Sequence, residues 1–244
     1  MSACPRNKEI PKPVRNDNRA YAFTLAEVLI TLVIIGVVAT LTIPNLMQKY
    51  TEQATVKKVQ KFYSTLSNAY NLAMRENGAE SEWGLTGTYA ENNIKIYEIL
   101  FKPYFKIAKN CGGNNTGNCF TTNKYKFLNN DEQVAYGANQ NYYKITLEDG
   151  VSALWIKQGV ELAVFIDTNG PKGPNQYGTD FFAFIIKNNN VFPQGLPSGE
   201  YRNRPFDSNC KSSGIGCTAW VIYKGNMDYL HCDLTWAKHS CKDK

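Results

Sequence analysis

From Phe23 to Ile43 the chain runs for 21 residues with a single ionisable side chain, Glu27, and no other stretch of its 244 residues is comparably apolar. About 20 apolar residues in a helix cross the hydrocarbon core of a bilayer, so this run predicts one membrane-embedded segment followed by one soluble body. The first 22 residues carry five basic side chains, Arg6, Lys8, Lys12, Arg15 and Arg19, against two acidic ones, Glu9 and Asp17. Basic residues directly ahead of an apolar span keep that end cytoplasmic and send the remainder across the membrane. A cleaved secretory signal has a shorter apolar region with its small residue after it. Here the small residue, Ala22, comes before the run, so a cut at that point leaves the helix on the mature protein as an anchor.

The formal charge of +6 is unevenly placed, half of it lying in those first 22 residues. The rest of the chain is close to balanced, without the basic cluster that a nucleic-acid footprint requires, so nucleic acid is a weakly supported partner. Of the seven cysteines, Cys4 precedes the apolar run and the other six follow it. Six cysteines on the exported side read as up to three disulfides in an oxidising compartment. Fifteen connectivities are open to six cysteines; the local pairs Cys111–Cys119, Cys210–Cys217 and Cys232–Cys241 each close a short loop. His231, Cys232, His239 and Cys241 are of zinc-ligand type, but oxidation of the thiols favours disulfides.

A carboxylate inside an apolar helix costs a few kcal/mol unless it is paired or solvated. Two partners for Glu27 follow from the sequence. It can complement its own helix N-terminus, or, after a cut between Ala22 and Phe23, it can pair with the new α-amine of a neighbouring chain and reward one axial register.

The segment Ala22-Phe23-Thr24-Leu25-Ala26-Glu27, the apolar run through Gly36 and the following Pro44 closely resemble the N-terminus of type IV pilins and type II secretion pseudopilins. The resemblance implies that a membrane prepilin peptidase cuts between Ala22 and Phe23 and N-methylates the new terminus. It implies that Glu27 is the assembly carboxylate, and that Gly36 and Pro44 are positions where the helix is weakened and kinked. The residue before the cut is usually glycine in that family, and alanine stands there in this chain.

The expected organisation is a cleaved cytoplasmic leader over 1–22, the transmembrane half of a long helix over 23–44, its amphipathic half over 45–78, and a globular extracytoplasmic head over 79–244. Val59, Phe62, Tyr63, Leu66, Ala69, Tyr70 and Ala73 recur at helical spacing, and Gly78 marks the stop. A short helix is expected with Ile94, Tyr97, Leu100, Phe101 and Tyr104 on one side. Strand signals follow over Tyr142–Leu147 and Val151–Ile156, joined by the turn Glu148-Asp149-Gly150, then Glu161–Ile166, Phe181–Ile186, Thr218–Tyr223 and Met227–Leu230. The fold class is therefore α+β, with the helix packed on an antiparallel sheet as in pilins.

Between two of those strands, the stretch from Asp167 to Asp180 starts like a calcium loop and then departs from EF-hand spacing at Pro171 and Gly178. The resemblance implies calcium for such a loop in major pseudopilins, with Asp167, Asn169 and Asp180 as ligands; the alternative is a turn capped by its own Asp and Asn side chains. No catalytic motif is present, so the chain reads as a non-enzyme.

The expected function is a structural subunit of a type IV pilus or a type II secretion pseudopilus. A minor pilin acting as a tip adhesin or as a DNA- or substrate-binding module is the alternative. An exported anchored enzyme is a third reading that no motif supports. The implied partners are like subunits, prepilin peptidase, the inner-membrane assembly platform and membrane lipid. The implied location is the bacterial inner membrane, single-pass with a cytoplasmic N-terminus, and an extracytoplasmic filament after assembly.

Overall fold

The structure, a computed structural model, describes residues 23–197 and 204–241, so the basic leader, Ala22 included, lies outside the described residues. The chain divides into two compact units that meet between Met47 and Gln48. The first described helix, α1 (Leu25–Asn77), contains Gly36 and runs through Pro44. Proline removes one backbone donor from a helix.

Before Gln48 the helix is a single apolar segment, long and apolar enough to cross a membrane. No residue from Phe23 to Ala54 is buried. Apart from its first turn and the donor missing at Pro44, its backbone groups pair within the helix, which is the condition for crossing hydrocarbon.

In the second unit, Val56, Val59, Phe62, Leu66, Ala69, Tyr70 and Ala73 are buried. Their three- and four-residue spacing makes one stripe. Each large member contributes roughly 1.5–3 kcal/mol on burial. Gly78 follows the helix at φ +76°, where a side chain would be strained and would also collide with Glu82.

Among the described residues the sheet has six strands, β1 (Ile107–Gly112), β2 (Tyr143–Leu147), β3 (Ser152–Gln158), β4 (Glu161–Asp167), β5 (Phe181–Lys187) and β6 (Asn190–Pro193), each antiparallel to its sequence neighbours. Ala153, Trp155, Leu162, Val164, Ile166, Phe182, Phe184 and Ile186 join the core that contains the α1 stripe. Leu154, Phe181 and Ala183 join a second core with Phe120, Tyr125, Tyr136 and Tyr177. Thus both sheet faces are covered, and this explains why β3, β4 and β5 carry unbroken apolar runs, Ala153–Ile156, Leu162–Ile166 and Phe181–Ile186, and lack the alternation of a half-exposed strand.

Between α1 and β1 lies α2 (Tyr89–Ile96), opened by a capping box between Thr88 and Glu91 and continued by a π turn over Tyr97–Phe101. It positions Phe101 on Trp155, with ring centroids 3.9 Å apart.

Two expected strands are not strands. Thr218–Lys224 is a helix, and Asp228–Leu230 is one turn of 3-10 helix. Thr218, Ala219, Trp220 and Val221 are consecutive and all buried, so side chains leave the backbone all round rather than on alternate sides. A short apolar run cannot separate these cases by periodicity alone. The preceding helix over Phe206–Ser213, absent from the sequence expectation, leads into this one through Gly214 at φ +76°. We number these helices α3 (Phe206–Ser213) and α4 (Thr218–Lys224).

Candidate functional site

At the start of α1, Thr24 and Glu27 form a reciprocal cap. The Thr24 N–H and hydroxyl donate to Glu27 Oε2 at 2.8 and 2.9 Å, and the Glu27 N–H donates to Thr24 Oγ1 at 3.2 Å. This is a T-x-x-E capping box, which satisfies donors that a helix N-terminus leaves open. Both Thr24 donors reach the same carboxylate oxygen, Oε2. Phe23, the residue that would carry a new terminus, is 84% exposed. Thr24, whose role is plain in the structure, carried no functional reading in the sequence, although T-x-x-E ahead of an apolar run is a recognisable helix start.

Among the described residues there are three disulfides, Cys111–Cys119, Cys210–Cys217 and Cys232–Cys241. The first closes the turn after β1, the second ties α3 to the 3-10 turn that leads into α4, and the third closes the last described segment. The first two pairs are buried, while Cys232 and Cys241 are half-buried.

Just ahead of the third disulfide, His231 Nε2 meets both carboxylate oxygens of Glu52, at 2.9 and 3.0 Å. This contact fastens the segment leading into the third disulfide to α1. A separation of 179 residues kept it out of reach of sequence reasoning.

The structure brings Asp167, Asn169 and Asp180 together. Asp167 accepts from Tyr125 Oη at 2.6 Å and from the Asn169 N–H at 3.0 Å. Asp180 accepts from the N–H groups of Asn175 and Gln176, at 2.9 and 2.7 Å, and from Asn169 Nδ2 at 3.3 Å. Burial, then the charge of Asp180, pushes the Asp167 carboxyl well up; burial also raises Asp180. Both effects are costs of holding two carboxyl groups away from water.

The amide oxygens of Asn169 and Asn175 are buried without a hydrogen-bond partner. The loop thus holds two carboxyls and two orphaned amide oxygens, and oxygen groups of this kind are the ones a hard cation takes. Among the described residues no group of three or more His, Cys, Asp or Glu side chains gathers as a metal centre.

Lys144, inside β2, is fully buried. Its ammonium donates to the carbonyls of Gly113, Asn139 and Tyr142 at 2.8, 2.7 and 2.9 Å. It thereby pins both ends of the β1–β2 connection, the segment that covers the outer sheet face. Burial pushes its pKa down to about 8.

Residues 45–196 match the profile of a family of unknown function (DUF6613), and residues 17–43 match the prokaryotic N-terminal methylation motif. No curated protein and no solved structure gives a match.

Proposed function

Since the chain belongs to the family of unknown function DUF6613 and opens with a prokaryotic N-terminal methylation motif of the type IV pilin and pseudopilin kind, we propose that it is a structural subunit of a type IV pilus or a type II secretion pseudopilus. The precursor lies in the bacterial inner membrane with its leader in the cytoplasm. Prepilin peptidase cuts between Ala22 and Phe23 and methylates the new amine. The mature chain then joins like subunits at the inner-membrane assembly platform, through α1.

One observation carries this reading: a carboxylate, Glu27, sits at the start of an apolar helical segment, Phe23 to Met47, in which no residue is buried. An unburied apolar helix needs lipid or other copies of itself as surroundings. A carboxylate in such surroundings needs a cation, and the N-terminal amine of a neighbouring copy supplies one. The domain limits follow from the same account, with 1–22 removed, 23–44 in lipid or in the fibre core, 45–78 joining core to head, and 79–244 outside.

Glu27→Ala tests it. The variant should be cleaved and membrane-held like the parent, yet give few filaments. Normal filament yield would sink the pairing of Glu27 with a neighbour.

We also propose that the loop between β4 and β5 holds calcium through Asp167, Asn169 and Asp180. The orphaned amide oxygens of Asn169 and Asn175 favour this over a purely self-capped loop. A calcium ion there would offset the repulsion between the two carboxyl groups, while the backbone N–H groups of Asn175 and Gln176 hold Asp180 in place.

A further inference from the structure

The Asn114-Asn115-Thr116 turn is the only Asn-x-Ser/Thr sequence in the chain with a residue other than proline in the middle. Such a triplet is an acceptor for N-linked sugar only where it is exported and accessible. Here it sits inside the loop closed by Cys111–Cys119. Asn115 takes a left-handed backbone, φ +55°. Its carboxamide turns inward, donating to the Phe120 carbonyl at 2.7 Å and accepting from the Phe120 N–H at 3.1 Å. With the middle residue used as the clamp, Asn114 and Thr116 are both left exposed.

The base of the turn is held as well. The Thr116 N–H donates to the Cys111 carbonyl at 3.1 Å, and Lys144 grips the Gly113 carbonyl at 2.8 Å. Among the described residues, none hydrogen-bonds the Asn114 carboxamide. The turn thus presents an amide nitrogen and, two residues on, a hydroxyl, on a rigid frame at the surface of the head.

We propose that Asn114 is an N-glycosylation site, modified after export. This rests on the reading above that the head is extracytoplasmic. The donor class is a sugar joined through pyrophosphate to a membrane polyprenol. The bond from sugar C1 to Asn114 Nδ2 forms and the bond from C1 to the pyrophosphate oxygen breaks. The pyrophosphate leaves with the electron pair, and Nδ2 gives one proton to a base of the transferase. The Thr116 hydroxyl is the group by which such a transferase selects its acceptor.

The test is mass spectrometry of the full chain purified from membranes of the organism that encodes it, covering both the N-terminus and the reduced tryptic peptide from Asn110 to Lys124. A sugar mass on Asn114 is expected, absent in Asn114→Gln and Thr116→Val and retained in Thr116→Ser. An unmodified Asn114 overturns the inference. If that same sample begins at Phe23, the filament-subunit reading survives the loss; if it begins at Met1, both fall.

Discussion

Thr24 donates twice to one oxygen of Glu27, through its N–H at 2.8 Å and its hydroxyl at 2.9 Å. The assembly carboxylate proposed here is therefore held in place by its own helix before any neighbour arrives. Since both donors belong to residue 24, removal of residues 1–22 leaves the cap intact.

Thr24→Val should weaken this arrangement without removing the charge. It deletes the hydroxyl donor and the acceptor for the Glu27 N–H, a cap loss of about 1 kcal/mol. We expect normal cleavage and a filament yield between those of the parent and Glu27→Ala, with Thr24→Ser restoring the parent level. Equal yields from Thr24→Val and the parent would show that the cap plays no part in assembly.

The disulfides should differ in their resistance to reductant. Cys111, Cys119, Cys210 and Cys217 are at most 2% exposed, whereas Cys232 and Cys241 are half-buried. Thiol exchange requires access. Stepwise reduction with alkylation should label Cys232 and Cys241 first. Separately, replacing Cys210 and Cys217 by alanine should cost about 2–3 kcal/mol from chain entropy over so short a loop, read as a lower denaturant midpoint in detergent. Labelling of Cys210 or Cys217 ahead of Cys232 would contradict the burial described.

Lys144 gives a pH dependence with a definite sign. Its folded pKa is lowered to about 8, whereas the unfolded lysine keeps its ordinary value near 10.4. Between these values the unfolded chain binds more protons, so the contribution of Lys144 to stability rises as pH increases through this window. Relative to Lys144→Met, the parent should gain stability from pH 8 to pH 10. At pH 7 the variant should still lose on the order of 3 kcal/mol, because the carbonyls of Gly113, Asn139 and Tyr142 all lose the donor they share. Parallel stability curves for the two proteins would refute the titration.

Much of this architecture is legible in the sequence, and the rest fails for identifiable reasons. The stripe of Val59, Phe62, Leu66, Ala69 and Ala73 gives α1, and Gly150, at φ +81°, gives the β2–β3 turn. Lys144 is different: in Tyr-Lys-Ile-Thr-Leu it alternates with apolar residues and reads as solvent-facing. It is buried because the β1–β2 connection, which lacks any periodic pattern, brings Tyr125 and Tyr136 over that face. β1 itself, Ile-Ala-Lys-Asn-Cys-Gly, has little strand character and is defined by its pairing with β2. The Asp167, Asn169 and Asp180 cluster was visible as a pattern of oxygen-bearing residues, but a fourth oxygen-bearing residue, Asn175, emerges only from the folded loop.

That loop should respond to calcium. In the parent chain, calcium added after chelation should raise the unfolding temperature by several degrees, and Asp180→Asn should abolish most of the rise. An identical unfolding temperature with chelator and with millimolar calcium would leave the loop as a self-capped turn, its two acids braced only by Tyr125, Asn169 and the backbone.

The central claim is that this chain is a processed filament subunit, and the most direct test is the N-terminal sequence and intact mass of the protein extracted from membranes that contain prepilin peptidase. The account requires a chain beginning at Phe23 and carrying one additional methyl group on its terminal amine. A chain that still begins at Met1, or one cut after the apolar run, would contradict it.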